Sequence, residues 1–301
     1  MLEYTHKDNR KENTYKYSPF RNVGPQQPYE EMDYNERRQE DNRRKLEGQI
    51  FHTKQGYDIE IVDYMTVHNV IVRFLCDGYL KLTTMNTIRK GLVWYPFERN
   101  KFGGYAGDGP YNQGNSKKAN SIWYNMLQRT NPESWSQIKY SRYKNTIICP
   151  DWYNFQNFAV WYYWQLSFLN PDIDRYEYQI DKDILQWGLE QKVYGPNTCL
   201  LIPRKLNAAL EFKEIKRIYN LPKGVDYYGP NRYCARCSFG SENSNGIYLG
   251  TFKSAEEAFQ VYKKEKETYL RNLVDQYLLE GAILPKTRDA IYNIDIKPYG
   301  I

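Results

Sequence analysis

The sequence predicts an α+β protein built from several small modules, and three observations carry that expectation. Apolar and polar side chains alternate between residues 57 and 82, the period of half-buried strands. Apolar and aromatic residues recur at helical spacing in residues 122–127 and again in 152–161. Beyond Gly224, three short alternating runs separated by Gly- and Asn-rich turns lead into a helix-start signature. A chain of 301 residues has room for two or three such domains.

Residues 1–48 hold almost no aliphatic side chains but carry Tyr4, Tyr15, Tyr17, Phe20, Tyr29 and Tyr34 among mixed charges. Such a segment cannot build its own core. It reads either as a disordered tail ending in a charged helix near residues 30–47, or as an arm whose spaced aromatics anchor on another subunit. Residues 49–115 follow as a small β-rich domain. Its strands are Tyr57-Asp58-Ile59-Glu60-Ile61, Val70-Ile71-Val72-Arg73-Phe74 and Tyr79-Leu80-Lys81-Leu82, with Asp77-Gly78 as a hairpin turn. Residues 83–91 suit a short helical turn, and the glycine-rich stretch 103–110 suits a loop or domain boundary. A phosphate-cradling loop is disfavoured there, because no Gly-Lys-Ser/Thr sequence or helix opening follows the glycines.

Residues 116–215 form the next module. Its two aromatic-rich helices read as core formers rather than base-stacking platforms. They are followed by Gln179-Ile180-Asp181-Lys182-Asp183, by Tyr194-Gly195-Pro196-Asn197-Thr198-Cys199 and by Asn207. Together with residues 123–129 and Cys149-Pro150-Asp151-Trp152-Tyr153-Asn154-Phe155, these blocks resemble, in order, phage-encoded HNH homing endonuclease-like proteins. The resemblance implies a ββα module with flanking helices, with Gln179 in the place of the catalytic base, Asp181 in the acidic place, Asn197 as the central asparagine and Asn207 at the final position. In that family a histidine takes a proton from water while a divalent metal holds the scissile phosphate. No histidine follows His68 here, and glutamine has no titration near neutrality. The module therefore reads as degenerate, with no catalytic residue expected among Gln179, Asp181, Asn197 and Asn207. Asp181 and Asp183, two apart on a strand, would share a face and are the candidate Mg²⁺ ligands if cleavage is retained. The preferred reading, without further ligands, is a solvated turn or a salt bridge to Lys182 or Lys192. Asn197 also reads as a turn former and Asn207 as a helix cap.

Residues 216–272 carry Gly224-Val225, Tyr233-Cys234-Ala235-Arg236-Cys237-Ser238 and the run from Tyr248 to Tyr262. Ser254 with Glu257 three residues on makes a capping box, and Ala258, Val261 and Tyr262 fall on one helix face. Alternation leaves Arg236 and Ser238 on the other face of the sheet. These residues closely resemble an AP2 domain, which implies a three-stranded sheet plus helix whose open face lies in the DNA major groove. The implied DNA contacts are Arg236, Ser238, Arg232, Lys223 and Lys253, which also suit an ordinary solvated surface. Asp226 and Tyr228 stand where plant members of that family usually carry arginines, and an aspartate facing phosphate is repelled. Cys234 and Cys237 point to opposite faces of a strand and cannot chelate a metal together. Residues 273–301 are expected to continue the helix through Tyr277 and Leu279, break near Gly281 and Pro285, and end as an extended tail packed on a neighbouring module.

Composition narrows the function classes. Forty-two Lys plus Arg against 36 Asp plus Glu gives +6, a mild excess that favours a polyanionic partner only slightly. Thirty tyrosines offer flat apolar faces with hydroxyls, suited to interfaces with protein or nucleic acid. Five irregularly spaced cysteines argue against a secreted disulfide framework. Residues 1–10 are polar, and no apolar run approaches membrane-spanning length, so neither signal-peptide export nor a membrane is expected. The leading expectation is a phage-type protein of the host cytoplasm that binds double-stranded DNA, derived from an HNH homing endonuclease, with weak or no cleavage. The alternative is a structural component of a virion or other assembly, making homo-oligomer or virion-protein contacts through residues 1–48. A nickase using a carboxylate such as Asp181 in place of the base would need an unusual water-activation scheme.

Overall fold

In the computed structural model, which describes residues 28–140, 143–210, 220–239 and 246–299, the first long helix starts at a capping box. The Glu36 N–H donates to Asp33 Oδ1 at 2.8 Å, and the Asp33 N–H donates to Glu36 Oε2 at 2.9 Å. The helix that follows, α1 (Tyr34–Leu46), buries none of its residues, as its run of charges demands. The arm expected over residues 1–48 is described only from residue 28. The chain divides into two units, Met1–Glu98 and Arg99–Ile301.

In the first unit, β1 (Ile50–His52), β2 (Asp58–Thr66), β3 (Asn69–Phe74) and β4 (Leu80–Thr83) form one antiparallel sheet in chain order. Ile59 faces Phe74 and Ile61 faces Val72 across β2 and β3. An irregularity between Ile61 and Asp63 advances the strand by one residue, so Tyr64 rather than Asp63 returns to the core side. Gly78, at φ +79°, makes the turn into β4. Helix α2 (Met85–Arg89) adds Met85 and Ile88 to the core formed by Ile59, Ile61, Val70, Val72 and Phe74. Each fully buried aliphatic side chain of this kind contributes about 1.5–3 kcal/mol.

The second unit begins with the glycine-rich loop. The expected boundary near residue 115 lies instead at 98/99, because this loop packs inside the second unit. A Cβ on Gly104 would meet Leu127 at 2.3 Å and Trp123 at 2.7 Å, and one on Gly107 would meet Asn154 at 2.0 Å. The elements that follow are α3 (Lys117–Thr130), α4 (Trp135–Lys139), β5 (Thr146–Ile148) and α5 (Phe155–Ser167). Helix α5 starts later than the expected 152, because residues 150–153 form a separate tight turn and Asn154 caps the helix through the Gln156 N–H. Trp123, Met126, Leu127, Trp152, Phe155, Phe158 and Trp161 make the first core of this unit, as expected of core formers.

Then come β6 (Tyr178–Asp181), β7 (Lys192–Tyr194), β8 (Leu200–Pro203) and α6 (Arg204–Ala209). Strand β7 pairs in parallel with β5, and β6 pairs antiparallel with β8. The last elements are β9 (Val225–Gly229), β10 (Arg232–Cys237), β11 (Ile247–Phe252), α7 (Ala255–Leu279) and α8 (Pro285–Tyr292). The three strands form an antiparallel sheet in the order β11-β10-β9. A capping box of Ser254 and Glu257 starts α7. Ala258, Phe259 and Tyr262 of α7 pack against Val225, Ala235 and Cys237 of the sheet.

The same core takes in Leu200, Ile202, Leu206 and Ala209 from β8 and α6, and Ile291, Ile294 and Ile296 from the carboxy-terminal segment. The stretches expected as separate modules, 116–215, 216–272 and 273–301, thus belong to one unit. Gly281, at φ +68°, ends α7. The helix runs through Tyr277 and Leu279 and breaks between Gly281 and Pro285, as expected. Pro285 then opens α8 at the helix start, where its missing N–H costs nothing, so the expected extended tail is instead helical through Tyr292.

Candidate functional site

Strands β6 and β8 with helix α6 place Gln179 and Asn207 together. Gln179 lies opposite Ile202 in the strand pair, and Asn207 is one turn into the following helix. The Asn207 Nδ2 donates to Gln179 Oε1 at 2.6 Å. Two neutral amides satisfy each other there, and neither can accept a proton from water near neutrality.

Asp181 ends β6 and is buried. Its Oδ1 accepts the N–H groups of Asp183 and Ile184 at 2.9 and 2.8 Å, so it closes the turn that follows the strand. Burial, reinforced by the charge of Asp183, raises its pKa to about 6. Asp183 faces the other way. Its carboxylate receives Lys182 Nζ at 2.9 Å and Lys192 Nζ at 2.5 Å. Burial alone would push the Asp183 carboxyl up, but the two ammonium groups outweigh it and hold the group below the usual carboxylate range.

The pair does not fit a Mg²⁺ site. One carboxylate is committed to backbone amides and the other to two cations, which would repel a metal ion. Among the described residues no cluster of three or more His, Cys, Asp or Glu side chains is arranged to hold a metal. Asn197 lies apart from these residues in function: it is exposed in the turn closed by the Thr198 N–H donating to Gly195 O.

The second candidate surface is the face of the β9–β11 sheet turned away from α7. Cys237 belongs to the core on the helix side, whereas Cys234 is three residues away and buried outside that core. All five cysteines are free thiols. Arg236 Nη2 donates to the Tyr228 hydroxyl at 2.7 Å, and its Nε lies 3.7 Å from Asp226 Oδ2. Tyr248, directly across from Arg236, shares a hydrogen bond of 2.9 Å with Thr251. Arg232 is exposed at the start of the same strand. This face therefore presents the Arg236 guanidinium and two exposed tyrosines beside one carboxylate, with Arg232 exposed at the start of the central strand.

The remaining expected contacts are more dispersed. Ser238 is exposed just past β10, and its carbonyl accepts Lys266 Nζ at 2.6 Å. Burial lowers the pKa of Lys266. Lys253 is exposed in the turn before α7, while Lys223 is half-buried, its N–H donating to Pro298 O at 2.9 Å.

Sequence reasoning did not single out Tyr248, although its place on an alternating run opposite Arg236 was the available signal. It also passed over Arg129, which sits in the last turn of α3 and becomes informative only through its long-range neighbours Tyr143 and Tyr194. No protein-family profile, curated protein or solved structure matches the chain. No helix among the described residues is long and apolar enough to cross a membrane.

Proposed function

We propose that the protein binds double-stranded DNA through the exposed face of the β9–β11 sheet, as a phage-type derivative of an HNH homing endonuclease with an AP2-like sheet and little or no cleavage activity. The observation that carries the reading is the grouping of Arg236, Tyr228 and Tyr248 on one sheet face backed by α7, with Arg232 exposed at the start of the same strand. Guanidinium groups neutralise phosphates and reach base edges, and tyrosine hydroxyls add phosphate contacts. The Gln179–Asn207 amide pair supports a loss of cleavage, since the base position holds a group that cannot take a proton. Replacing Arg236 with Ala tests the sheet. Weaker duplex binding supports the reading, and unchanged affinity removes this face from the interface.

A second reading, a structural component of a virion or other assembly, is favoured by a different observation. Asp226 draws on the Arg236 guanidinium that phosphate would need, and Val160, Trp164 and Phe168 leave an exposed apolar stripe along α5. That reading places the protein in a particle rather than the host cytoplasm. Deleting residues 1–48 would then abolish self-assembly, whereas intact oligomers after the deletion would remove the arm from that role.

A further inference from the structure

A second concentration of positive charge lies within the unit, away from the exposed sheet face residues discussed above in sequence and built from different elements. Lys182 follows β6, Lys192 opens β7, Arg129 ends α3 and Tyr143 precedes β5. Lys182 and Lys192 are 4% and 7% exposed, and both ammonium groups converge on the single carboxylate of Asp183. Arg129 and Lys182 also share one aromatic ring, at 5.2 and 5.8 Å from the Tyr143 centroid. Arg129 lies against the Tyr194 phenol and, among the described residues, forms no ion pair.

Two ammonium groups face the single carboxylate of Asp183, while Arg129 is linked to Lys182 through the Tyr143 ring and to no carboxylate among the described residues. The Asp181 oxygen is already held by two backbone amides. Burying ammonium groups is costly unless anions compensate them. Asp183, whose side chain is 41% exposed, is the carboxylate that both ammonium groups contact among the described residues. Two ammonium groups and a planar guanidinium suit a tetrahedral anion with several oxygens better than a second single carboxylate.

We propose that Arg129, Lys182 and Lys192 form a binding subsite for a phosphate group, with Asp183 as the resident counter-ion that the ligand displaces. The phosphate belongs either to a nucleic-acid backbone or to a free phosphate. The subsite stands independently of the sheet face, since its residues come from other elements and inorganic phosphate alone can probe it.

The test is calorimetric titration of the full-length chain with inorganic phosphate and, separately, with duplex DNA, using wild type, Asp183→Asn and Arg129→Gln. Removing the resident carboxylate is expected to tighten phosphate binding by about tenfold, and removing the guanidinium to weaken it by about tenfold. A merely structural cluster behaves differently: Asp183→Asn would then fold less stably and bind phosphate no better. Should Arg129→Gln fail to fold, Asp183→Asn decides alone. Tightening toward both ligands supports the subsite and identifies the nucleic-acid backbone as source, while tightening toward inorganic phosphate alone supports it with a free phosphate. Phosphate affinity unchanged in Asp183→Asn, or no phosphate binding by either protein, overturns the proposal whether or not duplex DNA still binds.

Discussion

Asn207 donates its side-chain amide to Gln179 Oε1 at 2.6 Å, tying the first turn of α6 to strand β6. Both side chains are half-buried, so each polar group left alone would lose a partner without gaining full hydration. Gln179→Ala and Asn207→Ala are each expected to cost about 1 kcal/mol, and the double mutant less than the sum by about 0.5–1.5 kcal/mol. Urea denaturation of the three variants checks this. Strict additivity would mean that the bond carries no coupling.

The same pairing bears on chemistry. With amides at both positions, plasmid DNA incubated with Mg²⁺ or Mn²⁺ is expected to remain supercoiled. Nicking by wild type that disappears in Asp181→Ala would overturn the proposal of lost cleavage and return the nickase reading.

Asp181 makes a pH-dependent contribution whose sign follows from its raised pKa of about 6. Between the ordinary carboxylate value and about 6, the folded chain holds a proton that the unfolded chain has released. Stability from this group is therefore present at low pH and falls as pH rises through about 6. The full effect is on the order of 2–3 kcal/mol. Asp183 acts oppositely: its depressed pKa contributes stability above the ordinary carboxylate range, lost as pH falls through its folded value. Asp181→Asn is expected to flatten the decline between pH 4 and 6, read from denaturation midpoints at fixed pH. An unchanged slope would place the titration elsewhere.

The local parts of this fold were legible in the sequence. Alternation located β2, β3 and β4, the Asp77-Gly78 turn located their hairpin, and the Ser254–Glu257 capping box located the start of α7. Elements held by distant partners were not legible. Strand β1 is three residues with little burial, and β5 pairs in parallel with β7 across more than forty residues of intervening chain. The loop glycines looked like simple turn formers, but Gly104 and Gly107 are needed because Trp123, Leu127 and Asn154 press against their backbone. At the candidate surfaces, the sequence indicated Arg236, Asp226 and Tyr228 and a salt bridge from Lys182 or Lys192 to the Asp181–Asp183 stretch, while only the fold showed that both lysines meet at Asp183 and that Arg236 bonds Tyr228.

Helix α7 supports the exposed sheet face from behind, and its first turn depends on a reciprocal cap. The Glu257 N–H donates to Ser254 Oγ at 3.2 Å. Ser254→Ala is expected to lower stability by about 1 kcal/mol, and Ser254→Asp to retain most of it. Thermal unfolding of both variants checks the cap. Equal loss in both would assign the effect to something other than the side-chain acceptor.

The central claim is tested most directly by the affinity of the full-length protein for a generic DNA duplex across a salt series. Phosphate contacts release counterions, so binding must weaken as salt is added. The account predicts a loss of at least about tenfold between ~50 and ~200 mM salt, as expected for about two phosphate contacts, with a shallower dependence in Arg236→Ala. No binding at low salt, or binding indifferent to salt, would contradict DNA recognition and leave assembly through protein contacts as the better reading.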